Sequence, residues 1–258
     1  TKLWNDSAKF FEVKYPNKKF ANVREEIGFL PWYFNLPVDN ANFSQAWLQA
    51  IDEKGFSAPF GLTTAEQRHP AFRSHGVGKC EWDGAVWPFA TSQTLTSMAN
   101  LLNDYTHLPI INKDGDNDDS WHKAYFTQLE KYVQSQSYRG KPYIGEYLDE
   151  TTGYWLKGDQ ERSRYYNHST FADLVITGLC GLRPRQDNTL EVNPLLPNGK
   201  WKWFCLDNIL YHGHNICVVW DETGGRYHVG RGMTIFVDGK KVANSNKLGR
   251  IIVKDILK

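Results

Sequence analysis

Glu146 lies in Pro142-Tyr143-Ile144-Gly145-Glu146-Tyr147-Leu148-Asp149-Glu150-Thr151-Thr152-Gly153-Tyr154-Trp155, an acid just after a glycine with aromatic rings on both sides. Such surroundings raise a carboxyl pKa or orient a water, which is general acid–base chemistry. Cleavage of a glycosidic bond asks for groups of this kind: one carboxyl protonates the leaving oxygen, and a second activates water or attacks directly. Acids among aromatics and glycines on loops are therefore the candidates, and two other places qualify. Asp83 stands in Trp82-Asp83-Gly84-Ala85-Val86-Trp87-Pro88. Its oxygens can accept from sugar hydroxyls or favour the start of the following helix. Glu25 and Glu26 can hydrogen-bond a substrate or pair with Arg24 or Arg68, and the structural role is the expected one. For Glu146 the local sequence leaves two readings level, a functional carboxylate and a surface turn over Asp149 to Gly153.

The elements that must position these residues are helical at first. Phe43, Ala46, Trp47, Ala50 and Ile51 recur at spacings of three and four, which predicts a helix over Asn42 to Asp52. Pro88 to Leu102 is the clearest helix, with Pro88 suited to its first turn. Ser120 to Gln136 is another, capped by Asp119 or Ser120. Ser169 to Leu182 is a third, apolar nearly throughout and expected to be buried. The stretch 55–87 is too long for a simple connector and reads as a structured functional loop. Arg24 to Tyr33, which carries Trp32, mixes charge with bulky aromatics as a site loop does. After Pro184 the texture changes to short β-branched runs at 189–192, 216–220, 234–237 and 251–253, with Asp238-Gly239 as a hairpin signal. The expected division is therefore 1–187, mainly helical, and 188–258, a β-sandwich module.

Composition narrows the partners. The 258 residues carry 30 basic and 29 acidic side chains, a net charge of +1, which gives no field for a phosphate backbone and makes nucleic acid an unlikely partner. No apolar run approaches the ~20 residues of a membrane span. Aromatic residues make up 14%, including 10 Trp and 13 Tyr, which suits either a large core or flat platforms for sugar rings. Cys80, Cys180, Cys205 and Cys217 form no metal-ligand spacing; Cys180 and Cys217 read as core thiols and leave the compartment open. His212 and His214 alternate on a strand without a third ligand, so a packing or hydrogen-bonding role is expected. Asp114, Asp116 and Asp118 mimic half of a calcium loop, but Asp119 and Tyr125 stand where Gly and Glu belong. A solvated turn before a helix is the reading; a loosely bound calcium is the lesser one, and no cofactor is otherwise expected.

The order Arg24-Glu25-Glu26-Ile27-Gly28-Phe29-Leu30-Pro31, Phe60-Gly61-Leu62, Trp82 to Pro88, Glu146 to Gly153, then His168-Ser169-Thr170 resembles glycoside hydrolase family 63. It is equally similar to the mannosylglycerate hydrolases and trehalases, over about residues 20–182. The resemblance implies a (α/α)6 barrel that inverts the anomeric centre of an α-glycoside. The family's Glu-containing Thr-Gly segment carries the general base, which falls on Glu146; Glu150 stands where the family often has Pro. Trp82, Asp83 and Trp87 fall on a loop lining the sugar subsite, with Trp32, Tyr147, Trp155 and His168 as further substrate-binding candidates. Asp83 replaces an arginine there, closer to the trehalase form, so the hydroxyl pattern read must differ.

The family's general acid is an aspartate well upstream of the base, and no acid in 1–145 matches its context. The expectation is a partial (α/α)6 toroid of six-hairpin type followed by a C-terminal β-sandwich. The rest of the barrel would come from upstream sequence or another chain. Leu190 to Pro197, Trp201 and Gly213 are similar to the β-sandwich end of rhamnosidase-like and other (α/α)6 enzymes. The implied function is an inverting α-glycosidase acting on a carbohydrate substrate. The alternatives are a glycan-binding protein with a degenerate barrel, and an assembly domain with Glu146 in a buried salt bridge and no open cleft at Trp82 and Trp155.

Overall fold

Pro88 begins the helix expected of it, α1 (Pro88–Asp104), where a missing N–H costs nothing in the first turn. The computed structural model describes residues 2–75, 82–133, 137–164 and 170–255. Contacts divide the chain into two units, Thr1–Phe171 and Ala172–Lys258.

In the first unit α1 packs on α2 (Asn117–Val133), which starts three residues earlier than its apolar pattern predicts. Asp116 is the reason. Its Oδ1 accepts from the Asp119 N–H at 3.0 Å and its carbonyl from the Ser120 N–H at 3.1 Å, so it caps the helix in place of Asp119 or Ser120. The helix expected over 42–52 forms as one continuous helical stretch, α at Ala41–Ser44 and Leu48–Ile51 and tightened to 3-10 at Gln45–Trp47, begun by Asn40, whose side chain accepts from the N–H groups of Asn42 and Phe43. Few long helices in the unit stand among short antiparallel pairs such as Ser57–Ala58 with Gly61–Leu62.

Its N-terminal core is aromatic. Phe29 meets Phe10 edge-on at 5.0 Å and Trp47 at 4.6 Å, and Trp32 abuts Trp47 at 5.5 Å. Gly28 allows this packing, because a Cβ there would run into the Phe10 ring and the Phe11 carbonyl.

The helix expected over 169–182 is shorter and differently wound: an α turn at Phe171–Asp173 passes into a π-helix at Leu174–Leu179. The Cys180 N–H reaches the Val175 carbonyl at 2.8 Å, the five-residue step of that winding. Nor is it buried throughout. Leu174, Gly178 and Leu179 are buried, while Ala172 and Asp173 are exposed and Thr177 turns back to bond the Asp173 carbonyl.

The second unit is β-sandwich-like. Its strands are β1 (Leu182–Arg183), β2 (Leu190–Val192), β3 (Trp203–Tyr211), β4 (His214–Asp221), β5 (Gly232–Val237), β6 (Lys240–Ser245) and β7 (Ile251–Val253). One antiparallel sheet runs β6-β5-β4-β3, and the other runs β7-β2-β1. Asp238 and Gly239 close the β5–β6 hairpin with φ of 50° and 76°, the left-handed pair that a two-residue turn needs. His212 and Gly213 do the same between β3 and β4, at 52° and 83°.

The two histidines are hydrogen-bonded: His214 Nδ1 to Asp238 at 2.8 Å and His212 Nε2 to the Arg185 carbonyl at 2.9 Å. Cys180 is buried, and burial pushes its thiol up to about 12. Cys217 is not the core thiol expected; it is half-buried, 3.9 Å from the exposed Cys205. Among the described residues no helix is long and apolar enough to cross a membrane.

Candidate active site

The loops that carry the candidate residues are tied together by backbone. Isolated antiparallel bridges link Thr63 to Val86, Val86 to Leu148, and Leu148 to Trp155. Val86 and Leu148 exchange both of their N–H···O bonds at 3.0 Å. Phe60 adds a bond from its N–H to the Glu150 carbonyl at 3.1 Å. This ladder runs through the middle of the expected functional loop and fixes the neighbours of each rung. Trp87 follows Val86, and Tyr147 precedes Leu148.

The outcome is a column of rings. Trp82 stacks on Trp87 at 4.1 Å and 23°, and Trp87 stacks on Tyr147 at 4.8 Å and 10°. Trp82 ends the column at the surface, 46% exposed, whereas Trp87 and Tyr147 are buried. Trp87 owes its place to α1, for which it is the non-helical residue before Pro88. Lys157 is buried with its Nζ 5.1 Å from the Tyr147 ring centroid.

Glu146 sits beside Tyr147 in the chain, 8% exposed. Ser163 donates its hydroxyl to Glu146 Oε2 at 2.9 Å, and the Tyr143 hydroxyl reaches the Ser163 carbonyl at 3.3 Å. The carboxylate is thus oriented by the hydroxyl of a residue whose backbone is itself held. A Cβ at Gly145 would meet Trp155 Cε3 at 2.5 Å and Tyr143 Cε1 at 2.7 Å, so glycine is required where the chain passes between these rings.

Trp155 and Trp32 are not at a sugar-facing surface. Trp155 is 1% exposed, packs with Tyr143, Val86 and Leu148, and donates Nε1–H to the Ser137 carbonyl at 2.9 Å. Trp32 is also 1% exposed, sealed among Trp47 and Phe11 in the aromatic core. Both were expected in the subsite because a flat ring is the same signal whether it faces a sugar or a core. Asp83 is paired with Arg73, Oδ2 to Nε at 3.0 Å, and its carbonyl accepts from the Arg73 N–H at 2.9 Å. Both side chains are largely exposed, so the ion pair adds little stability and serves to tie two loops. His168 lies outside the described residues, as does Cys80.

The turn after Glu146 is held by a clamp that the sequence does not announce. Asp149 accepts from the N–H groups of Thr151 and Thr152 at 2.8 Å, and from the Thr151 hydroxyl at 2.7 Å. Its other oxygen meets His75 Nδ1 at 2.8 Å. Glu150 accepts from the Ser74 hydroxyl at 2.6 Å and from the His75 N–H at 3.1 Å. Burial alone would raise the Asp149 pKa, but the bonds from Thr151, Thr152 and His75 outweigh it and bring the group down to about 2. Bonding to Asp149, and its charge with that of Glu150, raise His75 above its ordinary 6.5.

The signs give a window. Asp149 contributes above its ordinary 3.8 and loses that contribution as pH falls toward 2. His75 contributes fully below 6.5 and loses its part as pH rises through the raised value. Amide protection of Thr151 and Thr152 is therefore expected to be greatest between about pH 4 and 6.5 and to fall at higher pH. In His75→Ala that high-pH fall should disappear. Equal pH dependence in both proteins would remove His75 from the clamp.

Glu25 and Glu26 behave differently from the expectation of an arginine pair. Arg24 pairs with Glu66 instead, Nη1 to Oε2 at 2.7 Å, and Arg68 pairs with Asp52 while its Nε lies 3.4 Å from Glu66. Glu26 is 2% exposed, and neither of its carboxyl oxygens meets a donor in good geometry. It lines a cavity of about 390 Å³ together with Trp82. Among the described residues no three His, Cys, Asp or Glu side chains stand close enough to hold a metal ion.

Residues 1–169 match the mannosylglycerate hydrolase MGH1-like glycoside hydrolase domain. The chain belongs to this MGH1-like glycoside hydrolase family. Residues 182–244 of this MGH1-like chain match the C-terminal domain of glycosyl hydrolase family 65, a β-rich module in keeping with the second unit. A solved structure named "Sialidase" is similar over 99% of the chain, with a TM-score of 0.92 and 58% identity. The MGH1-like chain spans only 23% of that protein.

Proposed function

We propose that this chain supplies the general-base half of an inverting α-glycosidase, with Glu146 deprotonating the attacking water. The observation that carries this is the placement of Glu146: a carboxylate oriented by Ser163, at the buried end of the Trp82–Trp87–Tyr147 column, in a glycoside hydrolase domain. The general acid is an aspartate outside this chain, across roughly 6.5–9.5 Å of space that admits the water. The helices of 1–187 form part of a (α/α)6 toroid, and the β module of 188–258 closes the C-terminus. Acid–base hydrolysis needs two carboxyls and a water, so the reading calls for no cofactor.

The substrate is an α-linked glycan. α-Glucosides, α-mannosides and α-rhamnosides are the first panel, and α-sialosides join it because of the name carried by the similar structure. The test is hydrolysis of this panel by the full-length protein, with the anomer released in the first turnovers read by NMR. The β-anomer supports the reading. Release of the α-anomer overturns inversion, and binding without hydrolysis of any member leaves a glycan-binding protein instead.

A further inference from the structure

Glu26 is a buried carboxyl in the first unit that the active site does not explain. A buried polar group without a partner is disfavoured in a folded protein and calls for a reason. Burial raises its pKa well above the ordinary carboxyl value, and the nearby Thr94 hydroxyl offsets only part of that. Burial thus favours the protonated carboxyl, which is a donor as well as an acceptor. Arg24 and Arg68 are paired elsewhere, with Glu66 and with Asp52.

The cavity beside it has a clear division. Ile27, Trp82 and Phe89 are exposed at the rim, while Glu26, Thr64 and Thr94 are buried at the floor. Its volume of about 390 Å³ falls within the range of small-molecule sites, roughly 300–1,000 Å³. Trp82 stacks on Trp87 and also lines the cavity. Gln93 brings an amide, and Glu25, raised by burial and by Glu12, brings a second carboxyl. No Lys, Arg or His is among the described residues lining it. An apolar ring beside carboxyl, amide and hydroxyl groups, with no cation, matches an uncharged sugar ring and disfavours a carboxylated or phosphorylated one.

We infer that this cavity is a subsite for a neutral pyranose, which packs on Trp82 and hydrogen-bonds Glu26 and Gln93 through its ring hydroxyls. The inference rests on the glycosidase reading and adds to it a specificity-determining residue, Glu26. A group retained at a cost to stability for the sake of binding has a recognisable signature. Replacing it by an apolar residue of similar size should leave the fold intact or firmer while binding is lost.

The experiment is calorimetric titration of full-length Glu146→Gln protein with neutral α-gluco- and α-manno-oligosaccharides and with acidic counterparts, so that binding is read without turnover. Glu26→Leu in that background is expected to keep or raise the Tm and to weaken neutral-sugar binding by roughly tenfold or more. Trp82→Ala, at the exposed rim, should weaken the same ligands and guards against a Glu26 variant that fails to fold. Neutral binding that survives both changes overturns the subsite while leaving the glycosidase reading in place. Tighter binding of the acidic sugars also overturns it. If neither ligand class binds even with Glu26 present, the glycosidase reading falls and the subsite with it.

Discussion

Glu146→Gln in the full-length protein is expected to lower turnover by roughly 10²–10⁴-fold, the usual contribution of a positioned general base. Glycan affinity should stay within a few-fold. The substitution keeps the shape of the side chain and an acceptor oxygen for the Ser163 hydroxyl, now 2.9 Å from Oε2, so the local packing has no cause to change. What it removes is the ability to take a proton from water. A base acts in the transition state and not on bound substrate, so kcat should fall while KM changes little. Steady-state kinetics on the best member of the α-glycoside panel decide the matter. A fall in KM-dependent binding alone would make Glu146 a hydroxyl ligand, and near-normal turnover would end its candidacy.

The second large effect separates two tryptophans that sequence alone treats alike. Trp155→Ala should cost the first unit about 3–5 kcal/mol, the range for truncating a buried large aromatic side chain. The ring is fully enclosed: it meets Tyr143 edge-on at 5.2 Å, backs Gly145, and fills the space between the ladder residues Val86 and Leu148. At about 2–4 °C per kcal/mol for a unit of this size, the unfolding transition falls by on the order of 10 °C. Trp82→Ala should move it by little, since that ring is 46% exposed. Its expected loss is in glycan binding, roughly three- to tenfold for one aromatic contact. Thermal unfolding and titration of the two variants give opposite patterns if this assignment holds. A stable Trp155→Ala with lost binding would return Trp155 to the subsite.

The contrast shows where sequence reasoning reaches. Pro88 and the apolar face after it announce α1, and Asp238-Gly239 announces its hairpin, because both are local and involve residues with few conformational choices. His212-Gly213 makes an equivalent turn where the alternation of His212 and His214 predicts a strand, since histidine in the left-handed region is uncommon and gives no compositional cue. β3 was missed as well: Asp207 and Asn208 interrupt its alternation, and Asn208 has φ of 59° where the register shifts. The ladder through Thr63, Val86, Leu148 and Trp155 joins single residues far apart in the chain, and no periodicity can signal one-residue rungs.

Site residues divide in the same way. Motif order placed Glu146, Tyr147, Trp82 and Trp87 near one another, and the ring column brings the last three into contact. It could not tell that Trp32 and Trp155 face inward, nor that Arg24 pairs with Glu66 and Arg68 with Asp52 and not with Glu26. The His75–Asp149 clamp joins residues 74 positions apart and has no sequence signature. Two acids side by side give no sign of which one is buried. Only Glu26 goes under, while Glu25 stays partly exposed and makes a backbone bridge to Ala65.

Azide rescue of Glu146→Ala in the full-length protein tests the central claim most directly. Azide needs no base to attack, and the space vacated by the carboxylate adjoins the place of the activated water and makes room for the azide. The account predicts that azide restores turnover of an activated α-glycoside and that the product is the β-glycosyl azide. No rescue, or an α-glycosyl azide, would contradict Glu146 as the general base of an inverting enzyme.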